Sequence, residues 1–307
     1  MTFDRQLNVL GRRPKAELVE YVIRAFMGVD GASRFVGDEA RLRAFVWQVS
    51  RLYRNNPYHN FQHAVDTTNA MAWMVTRPGL SKRLPDLYVF VLILAALVHD
   101  LEHPGTDNQW EIKTRSRLAE KYRNEAVLEN RSLDGTFDLL QDPECALLAG
   151  LPPDTHNECR RLLGIVIIAT DFATHQAFLK ELRTHLHTKG TDFSDPEGLS
   201  LLARTLIKAA DISNTTKAFP LARLWGRRVM REYWAQGRKE KRRGLPVGPL
   251  NDPDKVAFHQ AQAEFIETQV QPLFDMLVTV ESSIGEAAET LTENRLSYLR
   301  LSSHRIQ

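Results

Sequence analysis

The sequence predicts an all-α protein built from many packed helices. Helical periodicity dominates the 307 residues, and convincing alternating strands are absent from the pattern. No internal repeat or low-complexity linker separates one part of the chain from another. A chain of this length can bury a substantial core. We therefore expect residues 1–307 to form one compact multi-helix domain.

The most apolar stretch of the chain covers residues 87–98 (LYVFVLILAALV). Because a bilayer-spanning helix needs roughly 20 residues, this run predicts a buried core helix and not a transmembrane segment. The Pro-Gly pair at 104–105 predicts that the helix stops near His103. The apolar run leads directly into His99 and Asp100, and a buried helix end that carries these groups needs partners for them.

Proline and capping residues mark further helix starts. Residues 152–154 (PPD) precede a helix that ends near Asp171. The segment 174–190 (THQAFLKELRTHLHTKG) is amphipathic and predicts a surface helix. Its solvent-facing histidines are expected to be His175, His185 and His187. The residues Ser-Asp-Pro-Glu at 194–197 form a capping box that opens a helix toward Asp211.

The last third of the chain contains one predicted loop and one predicted long helix. Residues 237–253 (GRKEKRRGLPVGPLNDP) are charged and rich in glycine and proline, which predicts a loop. Residues 252–253 then open a helix through KVAFHQAQAEFIETQVQPLFDML. Pro272 predicts a kink or break in that helix.

Composition and charge argue against several classes of protein. Hydrophobic residues make up 43% of the chain and charged residues 25%, which is ordinary for a globular protein. The formal charge of +2 gives no electrostatic reason to expect binding to nucleic acid or to an anionic membrane. The N-terminus lacks the pattern of a signal peptide, and Cys145 and Cys159 match no metal or redox spacing. We therefore expect free thiols and a cytoplasmic location.

Three apolar helical runs each deliver an aspartate near their C-terminal end: Asp100, Asp171 and Asp211. The helix dipole disfavours an anion at that end, and burying an unpaired carboxylate costs several kcal/mol. For one such acid, capping or pairing with a surface arginine is the better explanation. For three together, a bound cation that offsets the cost is the economical one.

Four of the ten histidines sharpen this hypothesis. His59 and His63 lie in YHNFQHAVD, and His99 and His103 lie in VHDLEHPG, each pair with i, i+4 spacing. On a helix this spacing places both rings on one face, as in helical zinc-binding pairs. Imidazole and carboxylate ligands without thiolate suit zinc beside a harder ion such as magnesium or manganese. From these residues we predict a dinuclear metallohydrolase acting on a phosphate ester.

Six motifs together resemble one enzyme family. YHNFQHAVD, HDLEHPGTDN, NEAVLEN, IIATD, ADISNTTK and AQAEFIETQVQPLF occur in the order and approximate spacing of the class I cyclic nucleotide phosphodiesterase catalytic domain. The resemblance covers about residues 50–280. It implies an all-helical catalytic domain in three subdomains, with the HD-type fold of that family and no regulatory domain in this chain. It also implies a pocket that holds Zn²⁺ and a second divalent ion, Mg²⁺ or alternatively Mn²⁺.

The resemblance assigns roles to individual residues. The implied zinc ligands are His63, His99, Asp100 and Asp211. Asp100 is implied to bridge to the second ion, whose waters are positioned by His103, Glu125 and Thr170. His59 matches the general acid, and Glu125 matches the carboxylate that orients it. The implied purine-binding residue is Gln262, and the implied apolar clamp on the base consists of Phe265 and Val229. Further implied pocket positions are Tyr58, Asn214 and Trp225.

The resemblance implies hydrolysis of cAMP, cGMP or both to 5′-nucleoside monophosphates, which ends cyclic nucleotide signalling. A hydroxide that bridges the metals would attack phosphorus, and His59 would protonate the departing O3′. The sequence leaves the choice of purine open, because rotating the Gln262 amide exchanges its donor and acceptor. The expected partner is the cyclic nucleotide and not nucleic acid, with homodimerisation as a further hypothesis.

Two other functions compete with this interpretation. Another His-Asp phosphohydrolase would share the metal ligands but would not need Gln262 and Phe265. A catalytically inactive binding protein would keep a structural metal, but it would not need a proton donor such as His59. From spacing alone, Phe265 fits plain core packing equally well, and without the family pattern Gln262 would be an ordinary polar neighbour in a helix.

Overall fold

The computed structural model of the protein describes residues 3–303. Over that range the chain folds into sixteen α-helices, and strands are absent from it. The helices are α1 (Lys15–Gly28), α2 (Asp30–Ser33), α3 (Glu39–Leu52), α4 (Phe61–Val75), α5 (Pro78–Ser81), α6 (Asp86–Val98), α7 (Asn108–Lys113), α8 (Arg117–Lys121), α9 (Val127–Gln141), α10 (Pro153–Ile168), α11 (His175–Lys189), α12 (Pro196–Asp211), α13 (Phe219–Arg242), α14 (Phe258–Phe265), α15 (Gln271–Val280) and α16 (Gly285–Ser303). Short 3₁₀ segments lie at Phe172–Thr174, Ser213–Thr216 and Ser282–Ile284, and a π-helical turn covers Ile266–Val270. The predicted all-α class is confirmed, whereas the division into three subdomains stays a prediction.

The apolar helix α6 lies in the centre of the core. It packs against α2, α4, α10 and α12, and its residues 89–98 are all buried. A helix that is apolar on every face is stable only when other helices surround it. The predicted core helix is therefore confirmed.

No single helix in residues 3–303 has both the length and the apolar composition to cross a bilayer. One pair of helices, Pro153–Ile168 with Phe172–Lys189, passes by length and composition together, but it is bent by 71°.

The central position of α6 predicts a large cost for truncating one of its side chains. Leu92 is fully buried, so Leu92→Ala should lower the free energy of unfolding by about 2–5 kcal/mol through lost burial and a residual cavity. Leu224→Ala is the matched control, because Leu224 is 47% exposed and should change stability by less than about 0.5 kcal/mol. Urea unfolding of both variants measures the difference, and equal effects would contradict the central placement of α6.

Two predicted boundaries around α12 and α15 hold with small changes. The Asp195 carboxylate, and not Ser194, caps α12 by accepting a hydrogen bond from the Gly198 N–H at 2.6 Å. Pro272 lies in the first turn of α15 and, as predicted, breaks the helical stretch that begins at Phe258. Proline lacks an N–H and clashes with the carbonyl four residues earlier, and the π-helical turn Ile266–Val270 lies just before it.

The loop predicted for residues 237–253 is wrong in its first part. α13 continues to Arg242, with basic side chains in its last turn, where the negative end of the helix dipole favours them. The helix predicted to open at residues 252–253 begins only at Phe258. The Asp252 carboxylate instead accepts a hydrogen bond from Lys241 Nζ at 2.9 Å, which ties the intervening turns to the end of α13.

The predicted solvent exposure of His175 is also wrong. His175 is buried at the start of α11, its ring stacks on Phe172 at 4.7 Å, and its Nε2 lies 2.9 Å from the Gln269 carbonyl oxygen. Helical periodicity could not reveal this contact, because Gln269 belongs to the distant π-helical turn.

Candidate active site

Neither histidine pair lies on a single helix, so the i, i+4 interpretation is wrong. Asn60 caps α4, and its side-chain oxygen accepts from the His63 N–H at 3.3 Å, which leaves His59 outside the helix. α6 ends at Val98, earlier than the stop predicted near His103. The chain then turns sharply, with a positive φ of 63° at Glu102.

Instead, one histidine of each pair joins two aspartates in a buried cluster. His63 Nε2 lies 3.2 Å from His99 Nε2, 3.1 Å from Asp211 Oδ1 and 3.4 Å from Asp100 Oδ2. His99 Nε2 lies 3.1 Å from Asp100 Oδ2 and 3.3 Å from Asp211 Oδ1. These four side chains, which the sequence predicted as one ligand set, therefore converge on one point.

The donor geometry of this cluster fits a small divalent metal ion. Five of its six donor-to-donor separations lie between 3.1 and 3.4 Å. A regular tetrahedron with edges of that length has its corners about 1.9–2.1 Å from its centre, a distance in the range of Zn–N and Zn–O bonds. His99 Nδ1 lies 3.1 Å from the Ala96 carbonyl oxygen, a contact that places the ring proton there and leaves Nε2 free to bind a metal. Burial alone would raise the pKa of Asp100 and Asp211, but contacts with the two histidines hold both pKa values below their usual range.

The other histidine of each pair joins a second cluster with Glu232. The His59 and His103 rings stack with their centroids 3.9 Å apart, and His59 Nδ1 forms an ion pair with Glu232 Oε1. Glu232 Oε2 accepts hydrogen bonds from the backbone N–H groups of Tyr58 at 2.9 Å and His59 at 3.1 Å. One buried carboxylate thus fixes both the ring and the backbone of His59.

The predicted pairing of His59 with Glu125 is therefore wrong. Glu125 is exposed and precedes α9, and the chain enters that helix through Ala126 with a φ of 39°. A signal for Glu232 existed in the sequence. It lies three residues after Val229, a predicted pocket residue, so helical spacing on α13 places the two on adjacent turns of one face.

The His59 ring is held in its protonated form. Burial lowers the pKa of His59, but attraction by Glu232 and Asp100 outweighs this effect and raises the pKa to about 9. Burial and the charge of His59 lower the pKa of His103 to about 3, so His103 is neutral. His103 Nδ1 accepts a hydrogen bond from the Gly105 N–H at 3.1 Å, which places its ring proton on Nε2. Of the two stacked rings, His59 is therefore the cationic one, and it can act as a proton donor.

Asn56 joins the two turns that carry these rings, and none of the sequence motifs includes it. Its side-chain Nδ2 donates to the His59 carbonyl oxygen at 2.8 Å and to the His103 carbonyl oxygen at 2.7 Å. Gly105, with a φ of 72°, allows this contact because a Cβ atom there would lie 2.8 Å from Asn56 Oδ1.

The glutamate of NEAVLEN that reaches the pocket is Glu129 and not Glu125. Glu129 lies in the first turn of α9, lines the same cavity as Asp100 and accepts a hydrogen bond from Asn108 Nδ2 at 2.9 Å. Burial raises the pKa of Glu129 to about 7. Thr170 and Asp171 line the cavity as well, so the predicted second-ion region contains Glu129 in place of Glu125.

Both clusters open into one cavity of about 400 Å³. Of the predicted substrate-binding residues, the following line it: Tyr58, Asn214, Val229, Gln262 and Phe265. The Tyr58 hydroxyl accepts a hydrogen bond from Asn214 Nδ2 at 2.7 Å. These polar and apolar side chains therefore line the same cavity as Asp100 and Asp211 of the first cluster.

The predicted pocket position of Trp225 is wrong. Trp225 is fully buried and does not line the cavity. Its ring packs edge-on against Tyr58 at 5.7 Å and against His63 at 6.2 Å. Trp225 lies on the face of α13 that turns toward α4, whereas Gly226 and Val229 on the same helix face the cavity. It therefore supports the wall from behind.

The absence of a side chain at Gly226 leaves room for the Gln262 amide. A Cβ atom at position 226 would lie 2.5 Å from Gln262 Oε1 and 3.2 Å from the Tyr298 hydroxyl. If Gln262 binds a purine, as the resemblance implies, Gly226→Ala should displace the amide and raise KM about 3- to 10-fold with little change in kcat, the effect of losing about one hydrogen bond. Steady-state kinetics with both cyclic nucleotides measure this, with Gly150→Ala as control because its Cβ would meet open space. An unchanged KM in Gly226→Ala would contradict the placement of Gln262 at the purine.

Comparison with known proteins identifies the family. The sequence profile of the 3′,5′-cyclic nucleotide phosphodiesterase family matches residues 58–291. The chain is 36% identical over 261 residues to the mouse (Mus musculus) high affinity cGMP-specific 3′,5′-cyclic phosphodiesterase 9A, covering 85% of this chain and 48% of that protein. It is 34% identical over 267 residues to the probable 3′,5′-cyclic-AMP phosphodiesterase pde-4 of Caenorhabditis elegans, covering 85% of this chain and 40% of that protein. The chain thus spans less than half the length of these curated relatives.

Solved structures agree with the sequence comparison. The structure of LmjPDEB1 in complex with IBMX superposes with a TM-score of 0.92 at 29% identity, covering 98% of this chain and 92% of that one. The phosphodiesterase domain of the RhoPDE fusion protein from Salpingoeca rosetta superposes with a TM-score of 0.93, covering 99% of this chain and 97% of that one, and at 24% identity shows the shared fold. The family expected from the six motifs is confirmed, and the chain belongs to the 3′,5′-cyclic nucleotide phosphodiesterase family.

Proposed function

We propose that this chain hydrolyses 3′,5′-cyclic nucleotides to 5′-nucleoside monophosphates in a metal-dependent reaction. One observation carries the proposal: a four-donor metal cluster and a protonated histidine open into the same cavity. A structural metal site would not need the charged His59. The family to which the chain belongs supports the same activity.

The metal centre is proposed to hold Zn²⁺ through His63, His99, Asp100 and Asp211. We propose that a second divalent ion, Mg²⁺ or Mn²⁺, would be held in the neighbouring part of the cavity, which is lined by Asp100, His103, Glu129 and Thr170. When bound, such ions would supply an activated water near neutral pH and positive charge for the phosphoryl oxygens.

The remaining chemistry belongs to side chains of this chain. His59, kept protonated by Glu232, is proposed to donate its Nε2 proton to the departing O3′ of the ester. Gln262 is proposed to bind the purine edge, while Phe265 and Val229 enclose its faces and Tyr58 and Asn214 extend the wall. The choice between adenine and guanine depends on the orientation of the Gln262 amide.

The proposal is tested by incubating the metal-replete protein with cAMP and with cGMP, with and without a chelator, and separating the products by chromatography. We expect a 5′-monophosphate from at least one nucleotide, loss of turnover with the chelator and recovery with Zn²⁺ plus Mg²⁺. Hydrolysis that persists fully in the chelator, or no hydrolysis of either nucleotide, would overturn the proposal. Hydrolysis of other phosphate esters alone would favour a different His-Asp phosphohydrolase.

The domain organisation, the main partner, the cellular location and the oligomeric state are also proposals. We propose that residues 1–307 act as one catalytic domain, that the substrate is the main partner, and that the enzyme works in the cytoplasm. Homodimerisation stays a hypothesis, for which sedimentation of the purified chain is the direct test.

A further inference from the structure

The N-terminal segment of residues 3–11, here called the strap, lies outside the helices yet packs closely against the protein. Phe3, Arg5 and Val9 are buried. Its backbone carbonyls need partners, because an irregular segment lacks a regular hydrogen-bond ladder. Side chains supply them: Asn69 Nδ2 binds Asp4 O at 2.8 Å, Lys217 Nζ binds Arg5 O at 2.8 Å and Leu7 O at 3.1 Å, and Gln62 Nε2 binds Val9 O at 3.0 Å and Gly11 O at 3.1 Å.

Lys217 is the central partner of the strap. Its ammonium group has three donors, and three oxygens surround it: the two strap carbonyls and Asp66 Oδ1 at 2.9 Å. The side chains of Lys217 and Asp66 are each only 2% exposed. A buried ion pair is tolerated when its remaining hydrogen-bonding capacity is satisfied. The two strap carbonyls therefore accept the Lys217 donors that do not face Asp66, and so satisfy the ammonium group of this buried pair.

This ion pair connects the two segments that deliver metal ligands. Asp66 lies one turn after His63 on α4, and Lys217 follows the 3₁₀ segment that continues from Asp211 at the end of α12. The ligand atoms of His63 and Asp211 lie 3.1 Å apart. A shift of α4 relative to the end of α12 would change this distance, and the pair between Asp66 and Lys217 opposes such a shift.

The strap is also anchored to the chain that surrounds Lys217. Arg5 donates to the Thr216 carbonyl oxygen and forms an ion pair with Glu286 at 2.6 Å. The Ala218 N–H donates to Gln6 Oε1 at 2.8 Å. On the other side, Gln62 and Asn69 of α4 donate hydrogen bonds to strap carbonyls, and Asp66 contacts the strap indirectly through Lys217. These three positions share one face of α4. The strap thus bridges α4 and the segment after Asp211.

We propose that Lys217 is a positioning residue: together with the strap carbonyls it fixes His63 relative to Asp211 and so sets the metal affinity of the centre. This inference rests on the proposed metal site, but it does not depend on which ester the enzyme hydrolyses. A purely structural ion pair would affect stability without a separate effect on metal binding.

The test compares wild type, Lys217→Met and the double variant Asp66→Leu/Lys217→Met. Zn²⁺ affinity is measured by competition with a chromogenic chelator, and thermal unfolding is measured on the metal-free proteins. We expect Lys217→Met to bind Zn²⁺ about 10- to 100-fold more weakly, the usual effect of losing a residue that orients a ligand. The double variant removes both charges, so its melting temperature should recover toward wild type while its Zn²⁺ affinity stays weak. Wild-type affinity in either variant would overturn the proposal.

A control variant tests whether the effect on Zn²⁺ affinity is specific to Lys217, and hydrogen exchange of the wild-type chain tests the coupling without any variant. Arg204→Met removes the ion pair of α12 with Glu181 and should leave Zn²⁺ affinity unchanged. Because coupling is reciprocal, Zn²⁺ added to the wild-type chain should slow hydrogen exchange in the strap relative to chelator-treated protein. Equal exchange in the two states would reject the coupling even if the variants fail to fold. No readout uses a cyclic nucleotide, so a chain that binds Zn²⁺ without hydrolysing one would refute the proposed function and leave this inference standing.

Discussion

Asp211→Asn is expected to reduce the turnover of cyclic nucleotides by at least roughly 10³-fold. The substitution preserves shape but removes the negative charge of one of four converging donors. Asp211 Oδ1 lies within 3.3 Å of both histidine donors, so its loss leaves a cluster with one carboxylate. Turnover in excess Zn²⁺ and Mg²⁺ and the metal content after dialysis measure the result.

Asp171→Asn is the matched control for this prediction. Asp171 also follows an apolar helix and lines the same cavity, but it is not one of the four clustered donors. Its carboxylate accepts a hydrogen bond from the Ala173 N–H at 3.0 Å instead. We expect this variant to retain Zn²⁺ after dialysis. Equal loss of zinc in both variants would show that the four-donor cluster is not the metal site.

Glu232→Gln is expected to slow turnover by roughly 10²-fold, and His59→Ala by roughly 10²- to 10⁴-fold, with zinc still bound. Attraction by the Glu232 carboxylate is the first of the effects that raise the pKa of His59. The same carboxylate accepts hydrogen bonds from the backbone N–H groups of Tyr58 and His59. A general acid must be protonated, so activity falls as the pH rises through the pKa of His59. Removing the Glu232 charge lowers that pKa, and the alkaline limb of the kcat profile should therefore move to lower pH.

Glu125→Gln separates this interpretation from the assignment by motif. Glu125 is exposed, so the variant should keep both its rate and its pH profile. A large loss of activity in Glu125→Gln, combined with an unshifted alkaline limb in Glu232→Gln, would reject the dyad of His59 and Glu232.

Most of the clustered side chains were predictable because their signals are local. Asp100 and His99 directly follow an apolar run, and Asp211 ends another, so burial of polar groups was visible in the pattern itself. The structure brings these residues together with His63 as expected. The helical spacing of the histidines was misleading, because Asn60 starts α4 after His59 and α6 stops at Val98.

The wrong prediction that Trp225 lines the cavity has a simple physical origin. Trp225 and Gly226 are adjacent in sequence, yet one faces α4 and the other faces Gln262, because consecutive residues of a helix point about 100° apart. Deciding which residue lines a cavity requires the orientation of α13. That orientation follows from packing against other helices and leaves no local mark in the chain.

The sequence by itself determined the all-α class, the family and the identity of the four converging side chains, because periodicity and short motifs record local structure and chemistry. The tertiary structure alone decided that Glu232, and not Glu125, binds His59. These partners lie 173 residues apart, and either glutamate could have been the partner until the packing of α13 against the turn before α4 placed one of them within reach. Lys217 belongs to the same category: its motif was visible, but its contacts with the strap and Asp66 exist only in the folded chain.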